Sequence, residues 1–167
     1  MGAGPAQEPG TSDMEIRRAR SADVPAIRAV VEAAYAKYVP RIGRAPAPVT
    51  ANYRALVAAG EAWVGVSQER VVGILVIRAL GDALELENVA VDPAWQGRGH
   101  GRRLIAFAER RALELGLHEV TLYTNEAMTE NLRLYPKLGF VETGRRVEDG
   151  YRRVFFRRFL DARPPSR

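Results

Sequence analysis

The chain has 167 residues, a formal net charge of +5, 47% hydrophobic residues and no cysteine. That length accommodates one domain with a well-buried core, and the missing cysteines exclude disulfides, thiolate metal sites and an acyl-cysteine intermediate. No run approaches the ~18–20 apolar residues that cross a bilayer, so the expectation is a soluble, cytoplasmic protein without membrane partners.

Residues 1–13 (MGAGPAQEPGTSD) lack both a basic start and an apolar centre and read as a disordered leader. Ala6 stands where a myristoylation signal needs Ser or Thr after Gly2. A single domain is expected over 14–160, with 161–167 as a tail. Residues 15–20 alternate like a first strand. Ser21 then caps a helix, with Asp23 in its first turn, that runs to about Lys37. Pro40, Pro46 and Pro48 predict a stiff loop over 38–49, and Thr50 caps a short helix over 51–59 that ends at Gly60.

Strands follow at 62–67 and 71–78 around a tight turn, then at 84–92 (LELENVAVD). Residues 102–116 read as an amphipathic helix with Leu104, Ile105, Ala108, Ala112 and Leu115 near one face. A strand at 119–124, a helix at about 129–138 closed by Gly139, and strands at 141–147 and 151–159 complete the chain. Asp149-Gly150 is a strong hairpin turn between the last two. The pattern predicts an α+β domain, a mixed sheet with helices on both faces.

Between the 84–92 strand and the helix lies Gln96-Gly97-Arg98-Gly99-His100-Gly101. A glycine turn that opens a helix aims unpaired N–H groups and the positive end of the helix dipole at one point, which suits a phosphate or pyrophosphate. Arg98, Arg102 and Arg103 add charge there. Arg102 occupies the last position that the dinucleotide fingerprint G-x-G-x-x-G requires as glycine, and the P-loop Lys-Ser/Thr pair is missing. The plainer alternative is a strand-to-helix turn that uses glycine for its backbone freedom. His100 and His118 have no partner cluster, so no metal is expected. The late arginines (145, 146, 152, 153, 157, 158, 163 and 167) favour anionic ligands. Alternation over 154–159 reads as a strand with a solvated face rather than a nucleic-acid surface.

In this order the pieces resemble the GCN5-related N-acetyltransferase (GNAT) superfamily, over roughly residues 14–159. Gln96, Gly99 and Gly101 fit its pyrophosphate pattern Gln/Arg-x-x-Gly-x-Gly/Ala, and 88–93 (NVAVDP) looks like its fourth strand. Residues 131–140 (NLRLYPKLGF) look like its last helix, with Tyr-x-x-x-Gly-Phe. The resemblance implies a mostly antiparallel sheet of six to seven strands, flanked by about four helices, whose fourth and fifth strands splay apart around acetyl-CoA. Val89, Ala90 and Val91 are then main-chain contacts for pantetheine. Gln96, Gly97, Arg98, Gly99, His100, Gly101 and Arg102 hold the pyrophosphate, with Asn131 and Tyr135 near the coenzyme. This chain has Met128 where many members carry a second asparagine. Homodimers are common in the family.

Acetyl transfer to an amine needs a neutral nucleophile, a stabilised oxyanion and a protonated leaving thiolate. A phenol near ~10 can protonate a thiolate whose conjugate thiol lies near ~8.5. Tyr135 matches the family's tyrosine in that role, and Pro136 beside it is expected to bend or shorten the helix. Glu85 and Glu87 alternate onto one strand face and are the candidate bases. A carboxylate near ~4.3 needs a water relay or a raised pKa to deprotonate an ammonium near ~10. By the resemblance, Tyr35, Tyr38, Arg41 and Arg44, with Glu148 and Asp149, lie around the acceptor. The acceptor stays open between a small amine and a macromolecular one (a protein N-terminus, a lysine or an aminoacyl-tRNA). A non-catalytic acyl-CoA sensor is the reading from another class.

Overall fold

Seven strands form one sheet, in the order β1-β2-β3-β4-β5-β7-β6, in a computed structural model that describes residues 14–161. They are β1 (Glu15–Arg18), β2 (Ala62–Ser67), β3 (Arg70–Leu80), β4 (Ala83–Val91), β5 (Glu119–Asn125), β6 (Val141–Glu148) and β7 (Tyr151–Phe159). Every pairing is antiparallel except β4 with β5. The helices are α1 (Val24–Tyr35), α2 (Val39–Ile42), α3 (Tyr53–Ala58), α4 (His100–Glu114) and α5 (Thr129–Lys137). The mostly antiparallel α+β architecture expected from the sequence is the one observed. The expectations for a leader over 1–13 and for residues 162–167 of the tail lie outside the described residues.

Local chemistry shifts several boundaries. Ser21 does not cap α1 but opens a 3-10 turn, Ser21–Asp23. Asp23 accepts from the Arg20 N–H at 2.7 Å and pairs with Arg17 at 2.8 Å, so the carboxylate outcompetes the hydroxyl. The segment expected as a stiff loop contains the single turn α2 and a 3-10 turn, Ala47–Thr50, because a proline fits the first turn of a helix. Thr50 donates back to the Ala47 carbonyl, and Asn52 is the cap of α3, accepting from Ala55 N–H at 3.1 Å.

The core divides between the two sheet faces. Leu75, Ile77, Leu84 and Leu86 pack under α4 through Leu104, Ile105, Ala108 and Ala112, and Val120, Val154 and Phe156 continue that layer across β5 and β7. On the other face Ile27, Val30, Val31 and Ala34, at helical spacing along α1, meet Val64, Ile74, Val76 and Ala90.

Two irregularities in β4 coincide. Val76 pairs with Asn88 but Ile77 pairs with Leu86, so Glu87 is an extra residue, a β-bulge. Pairing of β4 with β5 runs only through Leu84, Glu85 and Leu86, opposite Val120, Thr121 and Leu122. The bulge changes which residues face which side. Leu84 and Leu86 belong to the α4 layer before it, and Val89 and Val91 after it. Asn88 is thereby turned, buried, toward α1 and α3. There it accepts from the Tyr35 hydroxyl at 2.6 Å and donates to Tyr53 at 3.1 Å, and Tyr53 donates to the Pro48 carbonyl.

Asn88→Ala would leave two buried phenols short of a partner. The expected loss is about 2–4 kcal/mol in chemical denaturation, against about 1–3 kcal/mol for Tyr53→Phe, which leaves the Asn88 amide and the Pro48 carbonyl each one partner short.

Candidate active site

Beyond Leu86 the two strands diverge, and the edge of β4 from Glu87 to Val91 has no strand beside it. Two clefts occupy the opening. The larger, about 1080 Å³ and open to solvent, runs from Val89, Ala90 and Val91 along residues 96–102 to α5. The smaller, about 530 Å³, lies under residues 46–48 between β4 and β5. Tyr35, Val89, Asn131 and Tyr135 line both, so the clefts meet at these four side chains.

The glycine loop is built as an anion cradle. Asp92 caps a 3-10 turn, Pro93–Trp95, by accepting from Ala94 N–H at 2.9 Å. Gly97 and Gly99 sit at φ +80° and +81°, conformations that side chains resist, and Gly99 leads directly into α4. The helix therefore starts at His100, two residues before the sequence suggested, and its first N–H groups face the larger cleft. Gln96 lines the cleft with its side-chain amide already engaged. Its amide donates to the Val91 carbonyl at 3.0 Å and ties the loop to the end of β4. Arg98 stacks on Trp95 at 4.6 Å. Arg103, expected to add charge to the loop, donates to the Met14 carbonyl at 2.9 Å.

His100 is 2% exposed and neither ring nitrogen has a protein partner among the described residues. Burial, followed by repulsion from Arg103 and Arg98, holds its pKa below the ordinary 6.5. A buried imidazole with two orphaned nitrogens, at the mouth of a helix N-terminus, fits a ligand rich in phosphate oxygens.

Tyr135 is 4% exposed, with its ring between Phe140 at 5.7 Å and Phe156 at 5.6 Å. The Tyr135 carbonyl accepts from Phe140 N–H at 3.0 Å, which locks that packing. Pro136 falls in the last turn of α5, which ends one residue later. Burial pushes the phenol well above 10, so it stays protonated through the physiological range and is a weaker acid than a free phenol. Asn131 donates to Thr124 at 3.2 Å and pins α5 to β5.

The two candidate bases part company. Arg78 Nη2 lies 3.2 Å from Glu85 and 3.1 Å from Glu87. Glu85 lines a shallow depression with Thr121 and Arg157, away from the junction. Glu87 lines the smaller cleft, and its Oε2 is buried without a partner. Burial raises the Glu87 pKa and Arg78 only partly offsets it.

Around the acceptor side, the Tyr35 hydroxyl is engaged by Asn88. Tyr38 faces the larger cleft with its pKa pushed up to about 12, by burial first and then by Glu130. Arg41 pairs with Glu130 at 2.9 Å across the mouth of the cleft. Arg44 donates to the Asp149 carbonyl and stacks on Tyr151, whose hydroxyl donates to the Ala45 carbonyl at 2.6 Å. Glu148 is held below the usual carboxylate range by Arg146 and Arg153. Sequence reasoning missed Asn88, Tyr123, Tyr151 and Arg153, all of which line the smaller cleft. Asn88 alone carried a signal, as a polar residue interrupting an apolar strand. Among the described residues there is no cluster of three or more potential metal ligands, and no helix is long and apolar enough to cross a membrane.

Splayed strands, a glycine cradle at a helix start and a buried phenol meet at one opening. The profile of the acetyltransferase (GNAT) family matches residues 27–140, and the chain belongs to that family. A mycothiol acetyltransferase of Streptosporangium roseum is 46% identical over 56 residues, covering 34% of this chain and 17% of that protein. The chain thus spans between about a sixth and a half of the length of the curated relatives it matches. The PaiA N-acetyltransferase of Thermoplasma acidophilum, solved with coenzyme A, superposes with a TM-score of 0.76 at 13% identity, covering 89% of this chain and 100% of that one. A ribosomal-protein-alanine N-acetyltransferase of Escherichia coli gives 0.69 at 19% identity, over 91% and 97%. At these identities the structures share the fold alone.

Because folding depresses the His100 pKa, its contribution to stability is present above about 6.5 and is lost as the pH falls below it. Thermal melts of the protein and of His100→Leu between pH 5 and 8 are expected to differ, the variant losing part of the acid-side fall.

Proposed function

We propose that the chain is an acetyl-CoA-dependent N-acetyltransferase for the primary amine of a small molecule, working by direct transfer in a ternary complex. The carrying observation is the junction itself, where a protonated Tyr135 and a carboxylate with a free buried oxygen, Glu87, line the same small cleft. Residues 46–48 line the cleft on the acceptor side and narrow it, which favours a small acceptor over a polypeptide.

On the donor side, N–H groups of Gly99, His100 and Gly101 and the free edge of β4 supply the hydrogen bonds that pyrophosphate and pantetheine amides require. Arg98 and Arg102 add charge. Acetyl-CoA supplies an activated acyl group whose leaving sulfur is a modest base. On the acceptor side, Glu87 takes the ammonium proton, helped because desolvation lowers the ammonium pKa while it raises that of the carboxyl. As the amine nitrogen bonds to the acyl carbon and the carbon–sulfur bond breaks, Tyr135 gives its proton to the sulfur, and the proton that the nitrogen sheds in becoming an amide passes through water and restores the phenol.

Purified protein incubated with acetyl-CoA and a panel of primary amines should release free CoA only when an acceptor is present. Tyr135→Phe should lower kcat roughly 100-fold with coenzyme affinity unchanged, and Glu87→Gln should lower kcat/KM roughly 10- to 100-fold. The acid limb of the pH profile, set by a carboxyl above its usual range, should disappear in Glu87→Gln. Unchanged kcat in Tyr135→Phe would remove the phenol from the reaction. Binding of acetyl-CoA without acceptor-dependent release would instead favour the sensor reading.

A further inference from the structure

The smaller cleft holds a second charge of opposite sign, and the reaction as described does not use it. Arg153 lies on β7 opposite Asn125 of β5, on the sheet face that carries Tyr123 and away from the α4 layer. Its side chain is only 11% exposed, and it lines the same cleft as Glu87. The guanidinium is held in place: it stacks on Tyr123 at 4.4 Å, stands 5.6 Å from Tyr151, and donates Nη1 to Glu148 at 2.9 Å. Among the described residues Nε and Nη2 take no partner, and they are not among the sealed-off polar atoms. A nearly buried arginine with an open donor edge facing a binding cleft is matched by a carboxylate or similar oxyanion, which accepts two parallel N–H bonds.

On the β4 side of the same cleft, Glu87 has one carboxylate oxygen buried without a partner. Tyr123 lines the cleft with both charges. Burial pushes its phenol up, Arg153 draws it down and Glu87 pushes it up again. The cleft is thus bipolar: an anion for the ammonium on the β4 side and a cation on the β7 side, with tyrosine rings lining it.

We infer that the acceptor is zwitterionic, a small amino acid or amino-carboxylate whose carboxylate is held by Arg153 while its amine is presented at Glu87 and Tyr135. The inference rests on the acetyltransferase reading and narrows it. A polyamine or an aminoglycoside would place a second cation against Arg153 and is disfavoured by that repulsion.

The test uses matched acceptors that differ only at the carboxylate: free amino acids, their carboxamides and the corresponding decarboxylated amines. The free amino acids are expected to be better by roughly 10- to 100-fold in kcat/KM, the size of a lost charged hydrogen-bond pair. Arg153→Met should erase that preference, lowering kcat/KM for the amino acid while leaving the decarboxylated amine and coenzyme affinity as they were. Undiminished use of the decarboxylated amine by Arg153→Met guards against a folding defect in that variant. Equal use of both acceptor classes, or faster use of the decarboxylated amines, would overturn the inference and leave the acetyltransferase reading standing. No CoA release with either class would sink both.

Discussion

Everything functional in this domain depends on three residue pairs. β4 and β5 are hydrogen-bonded neighbours through Leu84, Glu85 and Leu86, and then no longer. A parallel pair that parts in mid-sheet leaves a row of backbone donors and acceptors without partners, which is costly inside a protein unless something else satisfies them. A coenzyme bound in the opening, as we propose, would satisfy them. The bulge at Glu87 falls where the pairing ends, so one irregularity both releases the strand and re-aims its side chains.

Around that opening the two sheet faces take different tasks. The α4 face supplies the apolar layer that fixes the helix axis, so that the N-terminus of α4 arrives at the mouth of the cleft. The α1 face supplies the chain of hydrogen bonds from Tyr35 through Asn88 and Tyr53 to Pro48, which positions residues 46–48 on the acceptor side. The donor side is therefore set by packing and helix geometry. The acceptor side is set by buried polar contacts, which are more directional and more sensitive to single substitutions.

Much of the donor side was legible in the sequence. The strand, the spacing of Gln96, Gly99 and Gly101, and the periodic helix after them are local features, and local features survive folding. The succession of strands along the chain and the last hairpin were legible for the same reason. What could not be read was the alternation across the bulge. A strict two-residue period puts Glu85, Glu87 and Val89 on one face, and a single inserted residue moves Val89 to the other. The loop over 38–49 hid its helical turns because proline signals an interruption and a helix start with the same residue. Arg153 was unreadable among many arginines, since its role depends on which strand lies opposite it and on how little of it reaches water.

The narrow seam also bears on how the chain finds its structure. On one side of it β1, β2, β3 and β4 are laid down with each strand pairing its nearest predecessor, and on the other β6 and β7 form a hairpin that β5 joins. Short loops close only β2 with β3, β3 with β4 and β6 with β7, whereas the seam joins distant residues such as Leu84 and Val120, as do β1 with β2 (Glu15 and Val66) and β5 with β7 (Glu119 and Phe159). One apolar layer runs beneath both sides of the seam, and the cleft comes into being only where they meet. A ligand bound across the seam would hold the two sides together.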